Sequence, residues 1–195
     1  MSLGNIYYYG RYCKKNIDKA IYYYEAAAKQ NVKGAQVNLG HIYFLDDDIP
    51  HDINKAINYL TPVANNNNHP RAQYFLGRMY DTFYEKSSDI NKALHYYAPA
   101  ANQNYDRAQA ALGVIYSEGR FFNRDIHKAI HYYTLAANQN NTGAQYLLGH
   151  IYDEGKYVTL DINKSIYYYT LAANQNNFGA QYLLGHIYDE GKYVT

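Results

Sequence analysis

Apolar residues recur along the chain at the i, i+3, i+4, i+7, i+8 spacing of amphipathic helices, interrupted at regular intervals by Gly, Asn and Asp. Ala144, Leu147, Leu148, Ile151 and Tyr152 follow that spacing and predict one helix. It stops at Gly155, a residue suited to a left-handed C-terminal turn. A second helix follows, its apolar stripe made by Ile162, Ser165, Ile166, Tyr169, Ala172 and Ala173. Asp161 is its expected N-cap, the carboxylate accepting from the exposed backbone N–H groups of the first turn. The same place holds Asn16, Asp52, Asp89 and Asp125. Asn-Gln-Asn closes the second helix in several copies, and Asn tolerates a left-handed turn almost as Gly does.

The two-helix pattern repeats. Leu-Gly begins at Leu3, Leu39, Leu76, Leu112, Leu148 and Leu184, with spacings of 36, 37, 36, 36 and 36 residues. Ala20, Ala56, Ala93 and Ala129, with Ser165 in the fifth place, keep the same period, as do the Ala-Gln pairs beginning at Ala35, Ala72, Ala108, Ala144 and Ala180. The last copies are almost the same text: Thr134–Thr159 and Thr170–Thr195 differ only by Thr142 against Phe178. The expected organisation is a single array over 1–195. It has a partial unit at 1–33, units starting near 34, 71, 107 and 143, and a partial unit at 179–195. A fragment of a longer array and an array with abrupt ends are both compatible with those partial units. The one extra residue falls in the Asn65–Asn68 run, a helix-to-helix turn where lengthening is cheap.

Gly inside a helix is less favourable than Ala by about 1 kcal/mol, so a Leu-Gly pair in every copy needs a reason. The expectation is that a neighbouring helix passes too close for a Cβ, with Tyr24, Tyr97, Tyr133 and Tyr169 filling the adjacent gap beside the small Ala positions. That is a code for packing helices rather than for chemistry.

The pattern L-G-x-x-Y followed by A-x3-[YL]-x2-[AV] resembles the tetratricopeptide signature. With its 36-residue period and longer inter-helix turn it is more similar to the Sel-1-like repeat family. In the fourth copy the matching residues are Ala144, Leu148-Gly149, Tyr152, Gly155, Asp161, Lys164, Ser165, Tyr168-Tyr169 and Ala172-Ala173. The resemblance covers essentially the whole chain. It implies an all-α fold, a right-handed α-solenoid of stacked antiparallel helix pairs whose first helices line the concave side. It also implies an adaptor or scaffold, in signalling or in the assembly of membrane-associated quality-control complexes. Some bacterial relatives are cysteine-rich and exported; this chain, whose only cysteine is Cys13, departs from that branch.

Composition narrows the picture. A net charge of +1 and a charged fraction of 18% provide no basic face for phosphates, so nucleic acid is not an expected partner. No segment approaches the roughly 20 apolar residues of a membrane span, which argues against direct membrane insertion. MSLGNIYYYG does not read as a signal peptide, and the expected location is cytoplasmic. The 27 Tyr with no Trp suit many thin, half-exposed contacts, since a Tyr ring packs while its hydroxyl reaches water.

Helical steps of 100° from Leu148 place Tyr146, His150 and Asp153 opposite the buried face. Equivalent stripes are Val37, His41 and Phe44; Tyr74, Arg78 and Asp81; Ala110, Val114 and Ser117; and Tyr182, His186 and Asp189. If first helices line the groove, these residues are its surface, rich in the Tyr, His and Arg expected of a protein-binding face. The patch is expected to run from Tyr146, His150, Tyr182 and His186 toward Tyr74 and Arg78 across the smaller Ala110 and Val114.

Catalytic, cofactor and metal sites are not expected. His127 and His131 form an i, i+4 pair but lack the Glu of a zinc-protease motif. Asp46-Asp47-Asp48 lacks the alternating ligands of a calcium loop, and His150, Asp153 and Glu154 do not by themselves make up a metal's ligand set. The expected function is a protein-interaction scaffold that binds a peptide or partner domain in its concave groove. The alternative is a regulatory repeat region of a larger signalling enzyme such as a kinase.

Overall fold

Helix caps recur at the predicted places and divide the chain into helical hairpins. The computed structural model describes residues 2–83, 90–119 and 123–189. Among these it contains eleven helices and no strand: α1 (Leu3–Tyr9), α2 (Ile17–Ala28), α3 (Lys33–Leu45), α4 (Ile53–Asn67), α5 (Pro70–Phe83), α6 (Ile90–Asn102), α7 (Asp106–Glu118), α8 (Ile126–Ala137), α9 (Thr142–Glu154), α10 (Ile162–Ala173) and α11 (Phe178–Asp189). The chain forms two compact units, 1–100 and 101–195. Each is a stack of antiparallel helix pairs, the architecture of an α-solenoid.

The even-numbered helices start where a side-chain oxygen takes an orphan N–H. Asn16, Asp52, Asp125 and Asp161 accept from the backbone N–H of Lys19, Lys55, Lys128 and Lys164 at 2.9–3.0 Å. The Asp89 cap expected from the sequence lies outside the described residues. Past the C-termini, Asn31, Asn68, Asn104, Asn140 and Asn176 adopt left-handed φ of 59°, 48°, 58°, 61° and 62°. Gly10, Gly119 and Gly155 do the same after first helices. The Gly-less turn after α3 closes differently: Asp46 stays extended, and its Oδ1 accepts from the Asp48 N–H at 3.1 Å.

The Leu-Gly pair is explained within the hairpin, with one correction. The neighbour that leaves no room for a Cβ is a side chain, not a helix backbone. A Cβ on Gly4, Gly77, Gly113 or Gly149 would lie 2.5–2.6 Å from a ring carbon of Tyr24, Tyr97, Tyr133 or Tyr169 respectively. Over Gly40 the place of the ring is taken by Leu60. These four tyrosines are at most 2% exposed, while Ala20, Ala56, Ala93, Ala129 and Ser165 in the same helices are fully buried.

Two further ladders hold the hairpins. On one flank Tyr7, Tyr43, Tyr80, Tyr116 and Tyr152 stack nearly parallel on Tyr23, Tyr59, Tyr96, Tyr132 and Tyr168, with interplanar angles of 3–5°. The ammonium of Lys19, Lys55, Lys92, Lys128 or Lys164 lies 4.9–5.2 Å above the first ring of each pair. The Gln of four of the five Ala-Gln pairs adds a hydrogen bond to a helix end. Gln73, Gln109, Gln145 and Gln181 donate from Nε2 to the carbonyls of Ala64, Ala101, Ala137 and Ala173 at 3.1–3.3 Å. Gln109 and Gln145 then accept from Gln139 and Gln175 at 2.7 Å, tying one repeat to the next. The sequence marked these glutamines as a period without giving their role.

Candidate functional site

In the 1–100 unit the predicted face is built on α3 and α5. His41 is half-buried, its ring 5.2 Å from Phe75 and 6.3 Å from Tyr8. Arg78 extends its guanidinium to 5.7 Å from the Phe44 ring, so α3 and α5 each supply a polar group that leans on the other's aromatic. Tyr74 is half-buried against Tyr97 at 6.0 Å. Asp81 faces inward: its Oδ2 accepts from the Tyr97 hydroxyl at 3.5 Å. Burial, and then the Asp81 carboxylate, push the Tyr97 phenol well above its ordinary pKa. The sequence stripe is corrected at Val37 and Phe44, each 1% exposed and part of the core of this unit. Neighbouring helices cover α3 from more than one side, which a single-helix projection does not show.

In the 101–195 unit, Tyr146 and His150 on α9 and Tyr182 and His186 on α11 keep the predicted i, i+4 pairing, with ring centroids 6.3 Å apart in both pairs. Tyr146 is more than surface. Its ring lies 6.0 Å from Tyr169, and a Cβ on Gly179 of α11 would meet it at 3.1 Å, so Tyr146 packs α9 against α11. Tyr182 is 70% exposed, and His186 and Asp189 are exposed too. His150 Nδ1 lies 3.5 Å from Glu154 Oε2. Burial, and then the nearby Asp153 carboxylate, push the Tyr169 phenol up, although among the described residues its hydroxyl finds no hydrogen-bond partner. Ser117 holds the equivalent place in α7, its Oγ 3.1 Å from the Tyr133 hydroxyl. The residue five after each of these leucines therefore faces the buried tyrosine of its own hairpin.

A polar cluster beside His41 was missed in the sequence. The Tyr24 hydroxyl donates to Asn5 Oδ1 at 2.6 Å, Asn38 Nδ2 donates to the same oxygen at 3.4 Å, and Arg71 Nη1 donates to Asn38 Oδ1 at 3.4 Å. Arg71 also lies 5.4 Å over the Phe75 ring. The signal was present for Arg71: five residues before Leu76, the same 100° step returns to the stripe that holds Tyr74 and Arg78. Asn38 lies off that stripe and becomes part of the face only through its neighbours.

Among the described residues no three His, Cys, Asp or Glu side chains converge as metal ligands, and no helix is long and apolar enough to cross a membrane. Asp48 is paired with Lys15 at 2.6 Å, and His127 and His131 are exposed.

The Sel1 repeat family model matches residues 1–32, 34–68, 70–105, 106–141, 142–177 and 179–195. The chain belongs to the Sel1 repeat family. Among solved structures it is similar to a Sel1 repeat protein from Oxalobacter formigenes, with 32% identity over 97% of this chain and 77% of that one, at a TM-score of 0.86. It is also similar to a protective antigen of uropathogenic Escherichia coli displaying an SLR fold, with 26% identity and a TM-score of 0.68. That match takes in 98% of this chain but 48% of the antigen. An immunity protein from Pseudomonas aeruginosa shares the fold at 22% identity and a TM-score of 0.63, over 91% of this chain and 68% of that one. No curated protein sequence matches the chain. Sel1 repeat proteins are generally protein-interaction scaffolds, and the helix-pair stack described above is the Sel1 architecture.

Proposed function

We propose that this Sel1 repeat chain is an interaction scaffold that takes a peptide or a partner domain on its first helices. In the 1–100 unit the contact residues are His41, Tyr74 and Arg78, with Asp81 at the margin. In the 101–195 unit they are Tyr146, His150, Tyr182 and His186, with Asp153 and Asp189 at the margin. The carrying observation is the division of labour within each hairpin. The second helix buries a Tyr (Leu60 in α4) over the first helix's Gly, and first helices α3, α5, α9 and α11 are left with Tyr, His or Arg side chains at least partly open to solvent, while α7 presents the smaller Ala110 and Val114. Rigid aromatic and guanidinium groups on a packed support are the usual anchors of protein recognition. A scaffold needs nothing more of these residues: they position a partner and transfer no group.

A pull-down from native extract, with the full chain as bait, tests this. A Tyr182→Ala, His186→Ala double variant should lose captured partner by about 2 kcal/mol in affinity or more. Tyr167→Ala, an exposed tyrosine on second helix α10, should keep it. Loss in the Tyr167 variant with retention in the double variant would move the binding face to the second helices.

A further inference from the structure

We infer that the first-helix face of the 1–100 unit is specific for an acidic peptide, recognised through side-chain carboxylates by Arg71 and Arg78. The inference rests on the scaffold reading and adds the chemistry of the partner.

Arginine has donors only, so the contact from Arg71 fixes Oδ1 of Asn38 as the acceptor. The Nδ2 end of Asn38 then faces Asn5, whose Oδ1 is therefore the acceptor for both Asn38 and the Tyr24 hydroxyl. Both amide oxygens of the cluster are engaged internally. What remains is a surplus of donors: Asn5 Nδ2, one N–H of Asn38 and most of the Arg71 fork. A ligand that accepts and does not donate completes such a set, and a carboxylate is that ligand.

Charge points the same way. Among the described residues neither Arg71 nor Arg78 makes an ion pair; each guanidinium lies on an aromatic ring, Phe75 or Phe44. The one acid of α5, Asp81, is engaged by the Tyr97 hydroxyl, and Asp46, just past the end of α3, by the Asp48 N–H. Arg71 and Arg78 are seven residues apart on α5, hence on one face and about 10.5 Å apart along the axis. Three residues of extended polyproline II chain rise about 9 Å and return side chains i and i+3 to one side. Two glutamates so spaced reach both guanidinium groups, with an apolar side chain between them against the half-buried Tyr74.

The test is fluorescence anisotropy of the full chain with a labelled, C-amidated peptide Glu-Ala-Leu-Glu-Ala-Leu, beside the same peptide with Gln for both Glu. Binding of the Glu peptide should exceed that of the Gln peptide by at least about tenfold and weaken as salt rises. Arg71→Gln and Arg78→Gln should each remove at least about tenfold, and Lys29→Gln, exposed at the end of α2, should remove nothing. Arg71→Lys should fall between, since it keeps the charge and loses the fork. Circular dichroism of each variant checks the fold. Arg78, for which the ring contact is the one side-chain contact found among the described residues, keeps the test valid if Arg71 variants unfold. Equal binding of the two peptides, or unchanged binding by both Gln variants, overturns the inference. If the Gln variants still capture the cellular partner that the Tyr182, His186 variant loses, the acidic assignment falls and the scaffold reading stands. Binding that appears only with a free peptide C-terminus also overturns the side-chain assignment.

Discussion

The Tyr169 ring occupies the volume that a Cβ on Gly149 would need: Cδ1 lies 2.5 Å from the ideal Cβ position. Tyr169 is fully buried there, and helix propensity is sacrificed at Gly149 so that a large aromatic can close the hairpin. The same relation joins Gly113 to Tyr133 and Gly77 to Tyr97.

Glycine substitution should therefore change sign along the array. Gly113→Ala and Gly149→Ala should destabilise by about 1–3 kcal/mol through overpacking, against the gain in helix propensity. At Gly185 no atom of the described residues lies within 4 Å of the Cβ position, so Gly185→Ala should be neutral or stabilise by up to about 1 kcal/mol. Urea melts of the three variants decide; a uniform effect would remove the steric explanation.

Ala129 is fully buried in α8, two residues from the exposed His131. Ala129→Leu should destabilise by about 1–3 kcal/mol, and His131→Leu by no more than about 0.5 kcal/mol. Comparable small effects in denaturant melts would take Ala129 out of the core.

Gln145 is 1% exposed, donates to the Ala137 carbonyl at 3.2 Å and accepts from Gln175 at 2.7 Å. Gln145→Leu strips the Ala137 carbonyl of one of its two donors, leaving the Asn140 N–H at 2.9 Å, and takes the acceptor from Gln175 Nε2, so it should destabilise by about 1–2 kcal/mol. Hydrogen exchange should quicken at the α8–α9 turn first, and protection unchanged there would show that the ladder carries no stability.

Alkali should unfold the chain through its buried tyrosines. Burial pushes Tyr24 and Tyr133 from 10.0 up to about 12. A raised phenol pKa favours the neutral, folded form, so this contribution is full below pH 10 and lost as pH rises through about 12. Tyrosinate absorbance should rise in two steps, the second coinciding with loss of helical circular dichroism. One smooth step near 10 with the helices intact would contradict the burial.

Acid acts on the caps with the opposite sign. Asp125 and Asp161 accept backbone N–H groups of Lys128 and Lys164, which holds both carboxyls below their ordinary 3.8. Their stabilisation is full above that value and lost as pH falls through the lower folded values. Asn at both positions keeps the cap without the titration, so the double Asn variant should show a shallower fall of Tm in acid. Parallel curves for the two proteins would place acid sensitivity elsewhere.

The sequence by itself determined the helices, their caps and their period, because these depend on local spacing and on which residues satisfy a helix end. Asp161 and Asn140 take their cap conformations from chemistry within a few residues. It also marked Gly149 and Ala129 as places where packing is tight. What lies over them was decided by tertiary structure, since a ring 20 residues away in sequence reaches Gly149 only after the hairpin closes. The candidate face divides the same way. His41, Arg78 and Tyr182 follow from the 100° step of one helix, which is why they were legible. Val37 and Phe44 are in the core because helices on either side cover α3, and Asp81 faces inward because Tyr97 donates to it. The Asn5–Asn38–Arg71 cluster is assembled from three helices, so no single helical projection contains it.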